Sequence, residues 1–252
     1  MKVLITGASS GIGREMIKLL ANKYDEFVLV GRNKERLEET KIILLGINNT
    51  LKIETVPTDV SIKQNCINLY NNNKNVDLLI NDAGFGDYGY FNETDLDKDL
   101  LMINTNISAL HILTKLYLKD MVERNSGHIL NVASIAGFLP GPLMATYYAT
   151  KSYVVRLSEA IREELRRKKS KVKISILCPG PVKTNFEHQA NVKFNFNGTD
   201  SKYIAKYAIN HLHKFYIVPQ AKIRAAKFFS KLVTNKAASK IVFNLQSKRI
   251  KN

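Results

Sequence analysis

Short unbroken apolar runs alternate with helix-patterned segments from the second residue onward, and few folds accept such a chain. "KVLIT" (2–6) precedes a glycine-rich turn and then "REMIKLLANK", whose apolar residues fall at 16, 17, 19 and 20. "FVLV" (27–30) precedes "NKERLEETKIILL", and "LKIETV" (51–56) precedes a helix over about 61–72. "VDLLI" (76–80) leads through a loop to a long helical region ending near 122. "HILNV" (128–132), a helix from about 145 to 169, "VKISILC" (172–178) and "FYIVP" (215–219) complete the series. Apolar runs without polar alternation are strands buried on both faces. Strands alternating with helices require crossover connections, which are right-handed and give a parallel sheet. The expected fold class is therefore α/β: a doubly wound parallel sheet of about seven strands, helices on both faces, one domain over residues 1–252.

Composition excludes several alternatives. With 45% hydrophobic residues in 252, the chain can fill a sizeable core. No window approaches about 18 uninterrupted apolar residues, so no membrane span is expected. The N-terminal "MKVLITGASSG" is too short in its apolar run for a signal peptide, which points to a cytoplasmic protein. Cys66 and Cys178 lie far apart without metal-ligand spacing, so neither a disulfide nor a metal site is expected. The net charge of +16 is concentrated at one end: Ser201 to Asn252 holds twelve Lys or Arg and no Asp or Glu, leaving +4 for the first 200 residues.

"TGASSGIG" (6–13) stands where the first strand ends and the first helix begins. Glycine there lets the backbone turn tightly and approach a diphosphate, whose charge a helix N-terminus favours. Gly7, Ser9, Ser10, Gly11, Ile12 and Gly13 are accordingly candidate cofactor-binding residues for a dinucleotide. The second strand ends in "VLVGRNKER", with no acidic residue at its tip to accept ribose hydroxyls. Arg32 offers a planar fork suited to a 2′-phosphate, with Lys34 and Arg36 adding field, so NADPH is expected over NADH. The competing reading is a solvated helix start with Glu35 and Glu38 as partners.

In "MATYYATKSYVV" (144–155), Tyr147 lies four residues before Lys151 and Tyr148 lies three before it. Both spacings put a phenol on the lysine's helix face, and geometry does not choose between them.

These segments resemble the short-chain dehydrogenases/reductases. "TGASSGIG" resembles that family's cofactor turn, "NDAG" (81–84) its N-N-A-G segment, and "NVASIAG" (131–137) its serine segment. "YYATK" (147–151) resembles its Y-x-x-x-K and "CPGPVKT" (178–184) its P-G segment; the landmarks run in family order over residues 1 to about 190. The resemblance implies a Rossmann-type oxidoreductase and selects Tyr147 as the proton donor and acceptor, leaving Tyr148 as packing or pocket wall. It also implies Lys151 beside the phenol and on the nicotinamide ribose, Ser134 as donor to the substrate oxygen, and Asn106 holding a relay water. Asn104, two residues away, is about 200° round a helix, so the two asparagines cannot share the role. Ala109 stands where glycine is common in the family's N-x-x-G. The resemblance further implies Asp59 and Val60 at the adenine, and Asn81, Ala83 and Gly84 at the ribose. Pro179, Gly180, Val182 and Thr184 fall at the nicotinamide, with transfer of the pro-S hydride. Asp82 departs from the family's second asparagine.

Residues 185–214 are expected to be a substrate lid, because "NFEHQANVKFNFNGTD" (185–200) has no periodicity and follows the nicotinamide segment. Phe186, Phe194 and Phe196 suggest an apolar cover, with His188 on the surface and Phe85 and Tyr88 on the opposite wall, for a lipophilic carbonyl or alcohol substrate.

Residues 220–252 form a basic amphipathic extension: Ala225, Phe228, Phe229, Leu232 and Val233, then Ala238, Ile241, Val242 and Leu245, follow helical spacing. Lys227, Lys231, Lys236, Lys240 and Lys248 are interleaved with them. Such helices pack on the body or a subunit partner, lie on an anionic membrane, or steer an acidic substrate. Nothing in the tail matches a nucleic-acid reader. The resemblance implies a homodimer or homotetramer. The competing class is a dinucleotide-binding regulator or membrane-surface scaffold without chemistry, against which the full Ser134, Tyr147 and Lys151 set argues.

Overall fold

The computed structural model describes residues 1–183, 192–193, 198–230, 232–247 and 250–251. Six strands carry the core of the sheet: β1 (Lys2–Thr6), β2 (Glu26–Gly31), β3 (Lys52–Pro57), β4 (Leu78–Asn81), β5 (His128–Val132) and β6 (Lys173–Leu177). A two-residue edge strand, β7 (Tyr216–Ile217), completes seven parallel strands in the order β7-β6-β5-β4-β1-β2-β3. β1 lies between β2 and β4, with Val3 opposite both Phe27 and Leu78. The strand order reverses there, and ligands of open α/β sheets bind in the crevice such a reversal leaves at the strands' C-terminal ends.

The apolar runs are continuous because each strand feeds two cores. Val3 and Ile5 point to one face, where they meet Met16, Ile17 and Leu20 of α1 (Gly11–Leu20) and Leu37 and Leu44 of α2 (Lys34–Ile47). Leu4, Val28 and Leu79 point to the other. There they meet Cys66 and Leu69 of α3 (Lys63–Asn72), Leu113, Tyr117 and Met121 of α5 (Leu110–Glu123), and Ile161 and Leu165 of α6 (Ala145–Arg167). The long helical region expected before residue 122 is interrupted. α4 (Leu96–Ile103) passes through a π-helical turn, Asn104–Ala109, into α5. π-turns insert into α-helices chiefly at functional positions.

Residues 201–210, assigned to the lid, form helix α7 (Ser201–Asn210), whose Ile204, Ala205, Ala208 and Ile209 are buried against the α1 side of the sheet. The Asp200 carboxylate caps it by accepting from the Lys202 N–H at 3.0 Å. The tail does form two helices, α8 (Ala221–Phe229) and α9 (Asn235–Gln246), but the apolar stripe is not uniformly covered. Ala238, Val242 and Gln246 of α9 are buried, whereas Phe228, Phe229, Leu232, Ile241 and Leu245 are 54–69% exposed. Thr184, Phe186, His188, Phe194, Phe196, Lys231 and Lys248 lie outside the described residues. No helix among the described residues is long and apolar enough to cross a membrane.

Candidate active site

After Thr6 the chain reverses through Gly7 (φ +79°) and Gly11 (φ +58°), left-handed values that favour glycine. The Gly7 and Ala8 N–H groups donate to the Val30 carbonyl at 2.9 and 3.1 Å, fixing the turn against the end of β2. Ser10 enters α1 without a side-chain cap, and Ser10, Gly11 and Ile12 line a cleft above the sheet. Gly13 does not line it. A Cβ there would stand 2.5 Å from the Gly7 carbonyl oxygen and 2.7 Å from Asp82 Oδ2, so Gly13 keeps the turn closed from behind.

The cleft runs from Arg32 and Asp59 at one end to Tyr147, Tyr148 and Met144 at the other. Its free space, open mouth included, is about 1530 Å³. Gly7, Ser9, Val60, Ala83 and Gly84 line its middle, and Pro179, Gly180 and Val182 the nicotinamide side of the resemblance. Arg32 is exposed at the rim, while Lys34 and Arg36 are absent from the lining. Glu38 does not pair with them; it accepts from the Thr55 hydroxyl and stands 3.9 Å from Lys41. Asp59 accepts from the Ser61 N–H at 2.9 Å and still borders the cleft. The glycine turn and the uncapped helix start together fit the diphosphate of a dinucleotide.

Three side chains expected to do chemistry meet at the other end. Ser134, just beyond β5, and Tyr147 and Lys151, on the first two turns of α6, all line the cleft. Lys151 is 6% exposed, donates to the Val132 carbonyl at 2.9 Å and lies 5.8 Å from the Tyr147 ring centre. The four-residue spacing on α6 thus brings amine and phenol together, and burial pulls the amine's pKa down to about 8 despite the nearby Asp82 charge. The Ser134 hydroxyl accepts from the Ala136 N–H at 3.2 Å and makes a long 3.4 Å donation to the Pro179 carbonyl. So weak a bond is readily exchanged for a substrate oxygen.

Asn106 and Asn81 stand just behind the residues that line the cleft. The Asn106 side chain accepts from the Phe85 N–H at 3.1 Å and donates to the Phe85 carbonyl at 2.8 Å and the Thr150 hydroxyl at 3.1 Å. It therefore braces the loop behind Gly84, and Asn104 is exposed on the far side of the π-turn. The Asn81 amide donates to Thr114 at 3.1 Å and Asn131 at 2.9 Å, tying β4 to its neighbours inside the core.

Other contributors escaped sequence reading. The Thr6 hydroxyl accepts from the Asp82 and Ala83 N–H groups at 3.2 and 3.1 Å, locking the "NDAG" loop beside the glycine turn. Phe85 lines the cleft as expected, but Tyr88 does not; its hydroxyl donates to the Gln246 carbonyl at 2.9 Å. Gln246 in turn donates to the Tyr148 hydroxyl at 2.7 Å, and Phe243 packs on the Tyr88, Leu143 and Met144 cluster. The tail thereby closes the Tyr148 end, a contact no local pattern announces across 98 residues. At the nicotinamide side Gln220 accepts from the Gly180 N–H at 3.1 Å and donates to Thr199 at 3.2 Å.

Comparison with known proteins gives consistent results. Residues 1–194 match the family model described as short chain dehydrogenase. An uncharacterized oxidoreductase of Staphylococcus saprophyticus is 31% identical over 226 residues, covering 90% of this chain and 88% of that one. One of Staphylococcus epidermidis is 34% identical over 186 residues, covering 72% and 77%. Among solved structures, a short-chain dehydrogenase from Sphingobium yanoikuyae in complex with NADPH superposes with a TM-score of 0.83 at 24% identity, covering 98% of this chain and 95% of that one. A short-chain dehydrogenase/reductase from Burkholderia phymatum in complex with NAD gives 0.80 at 26% identity, covering 90% and 92%.

Proposed function

The chain belongs to the short-chain dehydrogenase family and is an NAD(P)-dependent oxidoreductase; on that premise we propose that it interconverts a lipophilic ketone or aldehyde and its alcohol, with NADPH preferred over NADH. The observation that carries the proposal is that Ser134, Tyr147 and Lys151 line one cleft together with the glycine turn. Gly7, Ser9, Ser10, Gly11 and Ile12 would hold the diphosphate, Asp59 and Val60 the adenine, Ala83, Gly84 and Lys151 the ribose, and Pro179, Gly180 and Val182 the nicotinamide. Thr184, outside the described residues, belongs to the same segment. When bound, the nicotinamide supplies or accepts the hydride.

The residues then divide the remaining work. Ser134 releases its long bond to Pro179 and donates to the substrate oxygen, stabilising charge as it develops. Tyr147 gives that oxygen a proton in reduction and takes one in oxidation. An unassisted phenol, with a pKa near 10, is a poor proton acceptor at neutral pH. The Lys151 ammonium, 5.8 Å from the ring centre, favours the phenolate. Asn106 supports this arrangement from behind by holding the Phe85 backbone.

The preference for NADPH is supported by Arg32 at the cleft rim and by the absence of an acidic side chain among residues 31–34. A guanidinium pairs bidentately with a phosphate, which the 2′-phosphate supplies. A screen of lipophilic carbonyl compounds with NADPH and NADH in parallel tests the proposal. Oxidation of NADPH by at least one compound, with kcat/KM favouring it at least about tenfold over NADH, is expected; the ratio is about 1.4 kcal/mol, less than one charge-assisted contact. No oxidation by any compound would favour the non-catalytic, dinucleotide-binding alternative.

The exposed Phe228, Phe229, Leu232, Ile241 and Leu245, flanked by exposed Lys222, Lys236 and Lys240, support peripheral contact of the tail with an anionic membrane. Vesicle sedimentation should show salt-sensitive binding that is lost when the chain is ended near Pro219; binding that survives the truncation would refute it. Sedimentation velocity of the free protein should give a dimer or tetramer, and a monomer would refute that assembly.

A further inference from the structure

Asp82 puts a carboxyl where the resemblance leads one to expect an amide, and the fold places that carboxyl beneath the glycine turn. Its Oδ2 lies 2.7 Å from where a Cβ on Gly13 would stand and 3.2 Å from where one on Gly7 would stand. It faces the Gly13 backbone at the start of α1, and it borders the cleft with Ser9, Gly11 and Ile12. The charge of any diphosphate on the turn would therefore lie close to this carboxyl. Two like charges in a partly desolvated site repel, and neutralising one removes the cost.

Few groups compensate. Residues 6–13 carry no charged side chain. On α1, Arg14 is engaged with Glu39 at 3.2 Å and Glu15 with Lys18 at 2.9 Å. The ends of β2 and β3 contribute Arg32 and Asp59 at the far end of the cleft. α6 contributes Tyr147 and Lys151, and Cys178, beyond β6, faces Lys151. Lys151 favours the charged carboxylate, but burial outweighs it and holds the Asp82 pKa up at about 7.

We propose that Asp82 couples cofactor binding to proton uptake: seating a dinucleotide diphosphate on the Gly7–Gly13 turn draws one proton from solvent onto the Asp82 carboxylate. The proton bonds to a carboxylate oxygen, no other bond changes, and it returns to solvent when the dinucleotide leaves. This rests on the cofactor reading above and adds to it a residue that sets how cofactor affinity depends on pH.

Calorimetric titration of the full chain with NADPH, in pairs of buffers differing in ionisation enthalpy, counts the protons. The wild type should take up close to one proton more per NADPH than Asp82→Asn near pH 8, the difference vanishing near pH 6, and its Kd should rise about tenfold per pH unit above about 7 relative to the variant's. Asparagine keeps the size of the side chain and an oxygen beside the Gly13 backbone, and the titrating 2′-phosphate is common to both proteins. NADH, which lacks that phosphate, should give the wild type the same uptake, and its absence there would overturn the inference without need of the variant. Equal proton counts and parallel pH slopes would overturn it while leaving the cofactor reading intact. Failure of NADPH to bind either protein would overturn both.

Discussion

Replacing Asn106 with alanine separates a brace from a residue that handles the reacting proton. The side chain is 1% exposed and makes three hydrogen bonds: one from the Phe85 N–H, one to the Phe85 carbonyl and one to Thr150. Phe85 is 7% exposed, so its backbone groups have little access to water once the amide is gone. Each buried polar group left unpaired costs about 1–3 kcal/mol, and the Thr150 hydroxyl keeps its 2.7 Å bond to the Tyr147 carbonyl. Asn106→Ala should therefore destabilise the fold by about 2–6 kcal/mol. For a chain of this size that is a fall in Tm of roughly 4–24 °C. The Gly84 backbone beside Lys151 loses its brace as well, since a Cβ on Gly84 would stand 2.8 Å from Asn106 Oδ1 and 3.4 Å from Lys151 Nζ. Displacement there should lower kcat by about tenfold or more. Asn104→Ala, at an exposed position, should move stability by less than about 0.5 kcal/mol and leave kcat unchanged. Thermal unfolding followed by circular dichroism, with kcat measured well below each Tm, decides. An Asn106→Ala protein that melts with the wild type but has lost turnover would show that the side chain serves the reaction directly, as the family resemblance implied.

Two further outcomes follow from the geometry. Arg32→Glu should raise KM for NADPH about 10- to 150-fold, the equivalent of one charge-assisted hydrogen bond of about 1.5–3 kcal/mol, while KM for NADH changes little; equal changes for both cofactors would place the 2′-phosphate elsewhere. Burial and the charge of Lys173, its partner across the sheet, hold the His128 pKa down to about 4, and its Nε2 stands 2.8 Å from the Ser175 hydroxyl. The unfolded chain, with a His pKa of about 6.5, then binds more protons between those values, so stability is full above about pH 6.5 and is lost as pH falls toward 4. His128→Gln should flatten that acid limb in calorimetric melts; an unchanged limb would mean that His128 is not the group responsible.

The sheet was legible because burial on both faces removes the polar alternation that would otherwise disguise a strand, as in "KVLIT" and "HILNV". The Tyr147 and Lys151 pairing was legible once one phenol had been selected, because helical spacing fixes which side chains share a face. Asn106 was singled out by the family resemblance alone; its hydrogen bonds to Phe85 and Thr150 were not legible, because they depend on a π-turn that buries it and leaves Asn104 exposed. α7 could have been found. Asp200 is a good cap, and Ile204, Ala205, Ala208 and Ile209 make a helical stripe, but the irregular residues before them hid the boundary. The tail's helices were readable from spacing, whereas the face that packs was not. Gln246, a polar residue, anchors α9 to Tyr88 and Tyr148 while Ile241 and Leu245 remain exposed. Asp82 was visible as a departure from the family pattern, but its place under Gly7 and Gly13 depends on a loop brought from β4 to β1.

The account stands on the Tyr147 hydroxyl as the proton carrier. Tyr147→Phe removes that oxygen alone, and steady-state turnover on whichever carbonyl the screen identifies should be compared with NADPH affinity measured by fluorescence. A loss of kcat of at least about 100-fold, with Kd for NADPH within about threefold of the wild type, is the result predicted. Turnover within about tenfold of the wild type, against that expected loss, would mean that the proton travels by another route and that the assignment of this wall of the cleft is wrong.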